Sequence, residues 1–436
     1  MKTKLLAVCA AVAMSVCVPA QAQAPIEIQW WHSMSAALGD WVNDLAKQYN
    51  ASQTQYKVVP TYKGQYDESM TGAIAAFRAG NAPHILQVFE VGTATMMASK
   101  GAIVPAKVLN DAGFKFEPTE YVSAVAGYYT APNGQMLSYP LNSSTTIFYY
   151  NKDAFKKAGL DADKPPKTWP EVFAAASKLK ASGHSCPFTT SWVSWTQLES
   201  FSLWHNTLFA SKNNGFDGND AQLLINAPLH FRHFENLAKA SKEGSFVYKG
   251  RNNTADASFP SGECAMITGS SGLYARVAKE AKFAYGISTL PYYPDVKGAP
   301  QNTAIGGASL WVMAGKKPEE YKGVASFLNF LNDTKVQAAS HQRTGYLPVT
   351  MGAYKLTEAS GFYDKNPGTD VAVTQMIRKA TDKSRGIRLG NFVQIRTIID
   401  EETEQIWSGK KSPKEALDTA VTRGNEQLAR FARANK

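Results

Sequence analysis

One arginine late in the chain, Arg396 in Gln394-Ile395-Arg396, carries a planar guanidinium that can hold two oxygens of an anion at once. Its alternative is a salt bridge with Asp400, Glu401 or Glu402, about one helical turn on. Two short serine pairs, in Asn142-Ser143-Ser144 and Gly269-Ser270-Ser271-Gly272, supply hydroxyls beside small residues that let backbone N–H groups approach an anion. Ser144 and Ser270 read equally as turn or cap residues, and Ser270 could precede a helix N-terminus. Gly307, in Ile305-Gly306-Gly307-Ala308, offers an unobstructed amide or marks a bulge or close packing. Glu90 follows an apolar run at a strand end, where α/β folds often place ligand groups, or is a surface carboxylate. Tyr66 and Tyr346 are phenols in turn-like settings, YKGQY and TGYLP, and Trp192 and Trp195 form a W-x-x-W pair whose spacing more often builds core. Catalytic chemistry has little support. There is no H-E-x-x-H, G-x-S-x-G, P-loop or dinucleotide glycine pattern. His230-x-x-His233 reads as a surface pair without carboxylates at metal spacing. Neither a metal nor a cofactor is called for.

Residues spread from Tyr66 to Arg396 need an extensive scaffold to meet. At 436 residues the chain is too long for one compact core and suits two domains or two lobes. Short apolar strands alternate with helical stretches, which argues for α/β layers. Strands are expected at Ile26–Trp31, Tyr56–Thr61, Ile85–Phe89 and Thr145–Tyr150, and helices near Ala37–Tyr49 and Met70–Ala79. Asn151 or Asp153 can cap a short helix, Ala154–Ala158, that Gly159 ends. Thr168-Trp169-Pro170-Glu171 has the form of an N-cap, a first-turn proline and an acidic first turn. Asn213–Asp220 reads as a surface loop.

The N-terminus reads as an export signal. Lys2 and Lys4 precede an apolar stretch, Leu5–Val18, and a small-residue site that favours cleavage after Ala22, with Ala24 as the competing site. Cys9 and Cys17 each follow valine, a poor setting for a lipid anchor, and no later run is long and apolar enough to span a membrane. Cleavage lowers the formal charge from +10 to +8. The basic residues are scattered without interleaved aromatics, which speaks against nucleic acid and leaves a general attraction for anionic ligands. Cys186 and Cys264 remain; in an oxidising compartment two such cysteines can pair, but their distance is not legible here.

The order strand, YYNKDAFKKAGLD, proline-rich link and TWPE resembles the passage between lobes in extracytoplasmic solute-binding proteins of ABC importers. IQWWHSM, GNAPHILQV, Phe259-x-x-Gly262-x-x-Ala265-Met266, IGGASLWV and HQRTGYLPV resemble further elements of that family's sugar-binding, maltose-binding-protein-like branch. The resemblance covers the whole mature chain. VPTYKGQY, AFRAGNAPHILQVFEVGTATMMASKG, FASKNNGFDG and GIRLGNFVQIRTIIDEE narrow it to members that take glycerol phosphates. It implies a two-lobed α/β fold of type II with the ligand in a hinged cleft. The implied division is 1–22 signal, 23–142 first lobe, 143–300 second lobe, 301–345 return to the first, and 346–436 hinge-side and C-terminal helical part, mainly second lobe. The implied ligand is sn-glycerol 3-phosphate, with glycerophosphodiesters such as glycerophosphocholine; the implied partners are inner-membrane permease subunits, and the implied state is a periplasmic monomer. Arg396, Ser144, Ser270 and the Gly307 amide would hold the phosphate. Glu90, Tyr66 and Tyr346 would orient the rest, Trp192 would pack on the glycerol carbons, and Trp195 would border the space for a phosphate-linked alcohol. A sugar receptor and a secreted phosphodiesterase are the alternatives. The first would tolerate loss of Arg396, and the second would need metal ligands or a nucleophile–base pair.

Overall fold

The computed structural model describes residues 24–99, 101–115, 118–131 and 134–435; the expected signal and its cleavage after Ala22 lie outside them. Its strands are β1 (Ile26–His32), β2 (Tyr56–Tyr62), β3 (Ile85–Phe89), β4 (Tyr139–Ser144), β5 (Thr146–Asn151), β6 (Cys186–Thr190), β7 (Cys264–Ser270), β8 (Tyr285–Thr289) and β9 (Gly306–Val312). They form two sheets, ordered β2-β1-β3-β9-β4 and β6-β7-β5-β8. In the first, β1 runs parallel to β2 and β3, while β9 lies antiparallel between β3 and β4. In the second, β5 is central and every one of its residues is buried, which is why its sequence is a continuous apolar and aromatic run.

Only Thr145 separates the end of β4 in one sheet from the start of β5 in the other. This crossing is tied to a second one. Thr145 and Thr303 share a hydrogen bond between their hydroxyls, and Gln375 Nε2 donates to the Thr146 carbonyl at 2.8 Å. Buried polar groups thus find partners across the junction of the sheets.

Several local expectations need revision. The helix expected from Met70 begins at Tyr66 and runs to Arg78. Glu68 accepts the Gln65 N–H at 2.8 Å, closing an N-terminal cap that the Met70 start had left out. Tyr66 therefore opens a helix and does not sit in a turn. The short helix is Lys152–Lys157, and Asn151 caps it by accepting from the Asp153 and Ala154 amides. Thr168 and Glu171 form a capping box at the start of the helix Trp169–Ala181. Within 213–220, Asn214 is buried and its Oδ1 accepts from the Phe209 and Ala210 amides, so this stretch braces its neighbours as well as turning.

The histidine pair is not on the surface. His230 and His233 lie on the helix Pro228–Lys242 and are both fully buried. His233 stacks on Phe201 with ring centroids 4.1 Å apart and bonds Gln197 Oε1 at 2.8 Å; His230 bonds the Ser202 hydroxyl at 2.8 Å. The polar partners come from a distant segment, so the helix's own pattern could not show them. Burial holds His230 down at about 3 and His233 well below the usual imidazole range, keeping both neutral. Cys186 and Cys264 face each other on adjacent parallel strands, 4.5 Å apart between Cα atoms, and are joined as a disulfide.

Candidate functional site

Tyr66, Glu90, Ser144, Trp192, Trp195, Ser270, Gly307, Tyr346 and Arg396 all line one cleft. The sheets bring these residues in by their strand ends. Glu90 follows β3, Ser144 ends β4, Ser270 ends β7, and Gly307 lies near the start of β9.

Strand pairing sets one wall. Ser144 lies opposite Gly306, and Ser143 opposite Gly307, after a register shift between Pro140 and Asn142. Gly307 has φ +81°, and a Cβ there would fall 1.7 Å from the Asn142 carbonyl oxygen. Close packing is thus enough to require glycine at this position. A Cβ on Gly306 would likewise collide with the Trp195 ring, at 2.2 Å. The Ser144 hydroxyl has no hydrogen-bond partner among the described residues. Ser270 Oγ accepts the Gly272 N–H at 3.0 Å and keeps its own proton free to donate.

The aromatic wall comes from helix ends and connecting segments packed around Phe89 of β3. Tyr66 stacks on Phe89, with centroids 5.0 Å apart and planes 8° from parallel, and its hydroxyl accepts from Asn142 Nδ2 at 3.0 Å. Gln87 holds that amide from the other side, donating to Asn142 Oδ1 at 2.9 Å. Tyr346 is buried, not exposed on a turn, because Leu347 N–H donates to the Ser143 carbonyl at 2.7 Å and draws its segment onto β4. Burial raises both phenols well above their usual range, so each remains protonated. Trp192 and Trp195 do not share a regular helical face. Trp192 stands at φ +52°, ahead of a wide helical turn, Ser194–Glu199, that contains Trp195.

Arg396 is the electrostatic centre. It lies on the inner face of the helix Phe392–Trp407, buried, and its partners are neither Asp400, Glu401 nor Glu402. Glu401 and Glu402 pair with Arg423 instead. Arg396 Nε and Nη2 each donate to Glu199 at 2.7 Å, and Nη2 also donates to Glu90. Nη1 has no hydrogen bond to a described residue. Burial pushes the Glu90 carboxyl up to about 7 against the pull of Arg396, and both carboxylates help raise the guanidinium further. An arginine with two carboxylates carries a local charge of −1 when all three are ionised, so this group alone is a weak anion trap.

Three cleft features were missed from the sequence. Glu199 sits in an apolar-looking stretch and pairs across 197 positions. Phe89 carries the Tyr66 stack. Asp256, also on the cleft wall, has an Oδ1 shielded from solvent and without a partner among the described residues.

This arrangement of paired sheets, with a polar cleft between strand ends, matches a known group. The model of the bacterial extracellular solute-binding proteins fits residues 44–370. The chain belongs to that family. A Yersinia enterocolitica relative, the sn-glycerol-3-phosphate-binding periplasmic protein UgpB, is 53% identical over 98% of this chain and 97% of its own. An Escherichia coli protein of the same name is 52% identical over 98% of each chain. Among solved structures, UgpB from Mycobacterium tuberculosis in complex with glycerophosphocholine superposes with a TM-score of 0.78 at 22% identity, covering 93% of this chain and 98% of that one. Maltose-bound MalE3 of T. maritima superposes at 0.74 and 16% identity, over 92% and 99%. This solute-binding protein thus has the two-lobed type II periplasmic binding fold, as the sequence resemblance implied.

Proposed function

We propose that this protein is the exported, periplasmic receptor of an ABC importer, that it captures sn-glycerol 3-phosphate, and that it delivers the ligand as a monomer to inner-membrane permease subunits. Glycerophosphodiesters such as glycerophosphocholine are further ligands in this reading, and the protein acts by binding without catalysis. The lobe division expected from the sequence belongs to the same proposal. The observation that carries it is the convergence of Arg396, Ser144, Ser270, Tyr66 and Tyr346 with two tryptophans on one cleft. Relatives named for sn-glycerol 3-phosphate at 53% identity support the same ligand.

Free donors decide the orientation. The open hydroxyls of Ser144 and Ser270, the Gly307 amide and Nη1 of Arg396 take the phosphate, where donors to an anion form the stronger hydrogen bonds. Glu90, held by Arg396, accepts from a glycerol hydroxyl. Trp192 packs on the carbon chain, and Trp195 borders the space for an attached alcohol. Micromolar capture corresponds to about −8 kcal/mol, within reach of these contacts. Titration calorimetry with glycerol 3-phosphate, glycerophosphocholine and maltose tests the proposal. Binding of the first two and not of maltose is expected; tight maltose binding with no response to either phosphate would overturn it.

A further inference from the structure

Asp256 has no role in the ligand scheme above, and its surroundings are unusual for a carboxylate. It lies in the turn Thr254–Ser258 and lines the cleft together with Ser270 and Tyr346. Its Oδ1 is shielded from water, and the Ser191 hydroxyl beside it lowers the carboxyl's pKa in part, against the effect of burial. No cation among the described residues forms a salt bridge with it. Arg276, on the helix Tyr274–Glu280, acts on it from a distance but is bonded to Glu280 at 2.8 Å. The other titratable groups facing it are Tyr149 of β5 and Tyr346, both protonated phenols. Tyr149 is already engaged, donating to the Ser270 and Ser271 carbonyls. Across the cleft the Arg396 charge is taken up by Glu90 and Glu199.

A bare carboxylate here would repel a phosphate held by Ser270, and the weakly screened interior would make that repulsion large. One proton removes it. A phosphate monoester dianion takes up one proton near pH 6, and burial pushes the Asp256 carboxyl up to about 7. A proton taken from solvent and placed between the carboxyl's cleft-facing side and a phosphate oxygen turns the repulsion into a short charge-assisted hydrogen bond. We propose that Asp256 is a specificity-determining residue that shares one proton with the bound phosphate, so that ligand capture is coupled to proton uptake. The inference rests on the glycerol phosphate reading above. A diester has no phosphate proton of its own, so with it the proton resides on Asp256, which donates.

Calorimetry of the full mature chain with glycerol 3-phosphate, in buffers of different ionisation heat, counts the protons. At pH 8 the wild type takes up close to one proton per ligand, and its affinity falls roughly tenfold per pH unit above pH 7. At pH 8, where Glu90 is ionised in both proteins, Asp256→Asn, which keeps the shape and supplies a neutral donor, takes up none, and its affinity varies less than about twofold between pH 7.5 and 8.5. The wild-type count stands by itself should that variant fail to fold. PH-independent wild-type binding without proton uptake would sink the proton link and leave the ligand reading intact. An Asp256→Asn slope equal to wild type would assign the proton elsewhere and also overturn it. Absence of any binding to glycerol 3-phosphate or glycerophosphocholine would remove the ligand reading itself, and the proposal with it.

Discussion

Arg396 is held through Nε and Nη2 by Glu199 and Glu90, so its substitution acts on two properties at once. Arg396→Ala leaves two buried carboxylates unpaired, and removing one partner of such a group typically costs about 3–5 kcal/mol. Urea denaturation at pH 7 is expected to show a loss of that order, with glycerol 3-phosphate binding abolished. Retained binding would refute the phosphate role. The cost should shrink on acidification, because a protonated Glu90 no longer needs the guanidinium. Asp256 gives a cleaner pH signature. Its folded pKa, at about 7, lies above the unfolded value. The folded state therefore binds the extra proton between pH 4 and 7, and stability falls as pH rises through that window. Asp256→Asn without ligand should melt higher than wild type at pH 8, with the gap closing by pH 4; scanning calorimetry at both values checks this.

At the scale of elements, the cleft depends on how β4 and β9 meet. The register shift near Asn142 and the left-handed backbone at Gly307 let the strands approach so closely that no Cβ fits. Gly307→Ala combines an unfavourable φ with a backbone clash, and a loss of roughly 2–4 kcal/mol is expected in chemical denaturation. Binding should weaken as well, since Ser144 lies one residue along the same pairing. The disulfide works on the other sheet. It joins β6 to β7 across a sequence separation of 78, for which chain entropy predicts about 4 kcal/mol. Replacing both cysteines by alanine should lower the unfolding free energy from chemical denaturation by an amount of that order while leaving ligand affinity within a few fold, because neither cysteine lines the cleft.

Across the whole molecule the cleft lies between two sheets whose crossings are bound together by Thr145, Thr303 and Gln375. In the proposed function, a ligand that touches both sides would stabilise a closed arrangement through hinge motion. At a free concentration 100 times its dissociation constant, a ligand confined to the folded state adds about 2.7 kcal/mol. Glycerol 3-phosphate should therefore raise the melting temperature, and half-buried Trp192 should report closure by a fluorescence change. Scattering that gives the same radius of gyration with and without ligand would argue against hinge closure.

Capping, strand formation and the family motifs act over a few residues, so they were legible in the chain alone. β3, the Thr168–Glu171 box and the passage through Tyr149 and Tyr150 followed from neighbours in sequence. The cleft's nine expected residues were found through motif resemblance, and no periodicity would have selected them from 19 tyrosines and scattered serines. What only the tertiary structure decided concerns distant partners. The Arg396 clamp unites groups 197 and 306 positions apart, the histidine pair is buried by side chains from another segment, and the two cysteines meet as strand neighbours. The energy of a buried charge or polar group depends on which partners surround it in space. A single stretch of sequence names the group but not those partners, which is why Arg396 and Glu90 were each readable as candidates while their pairing, and Glu199 with it, was not.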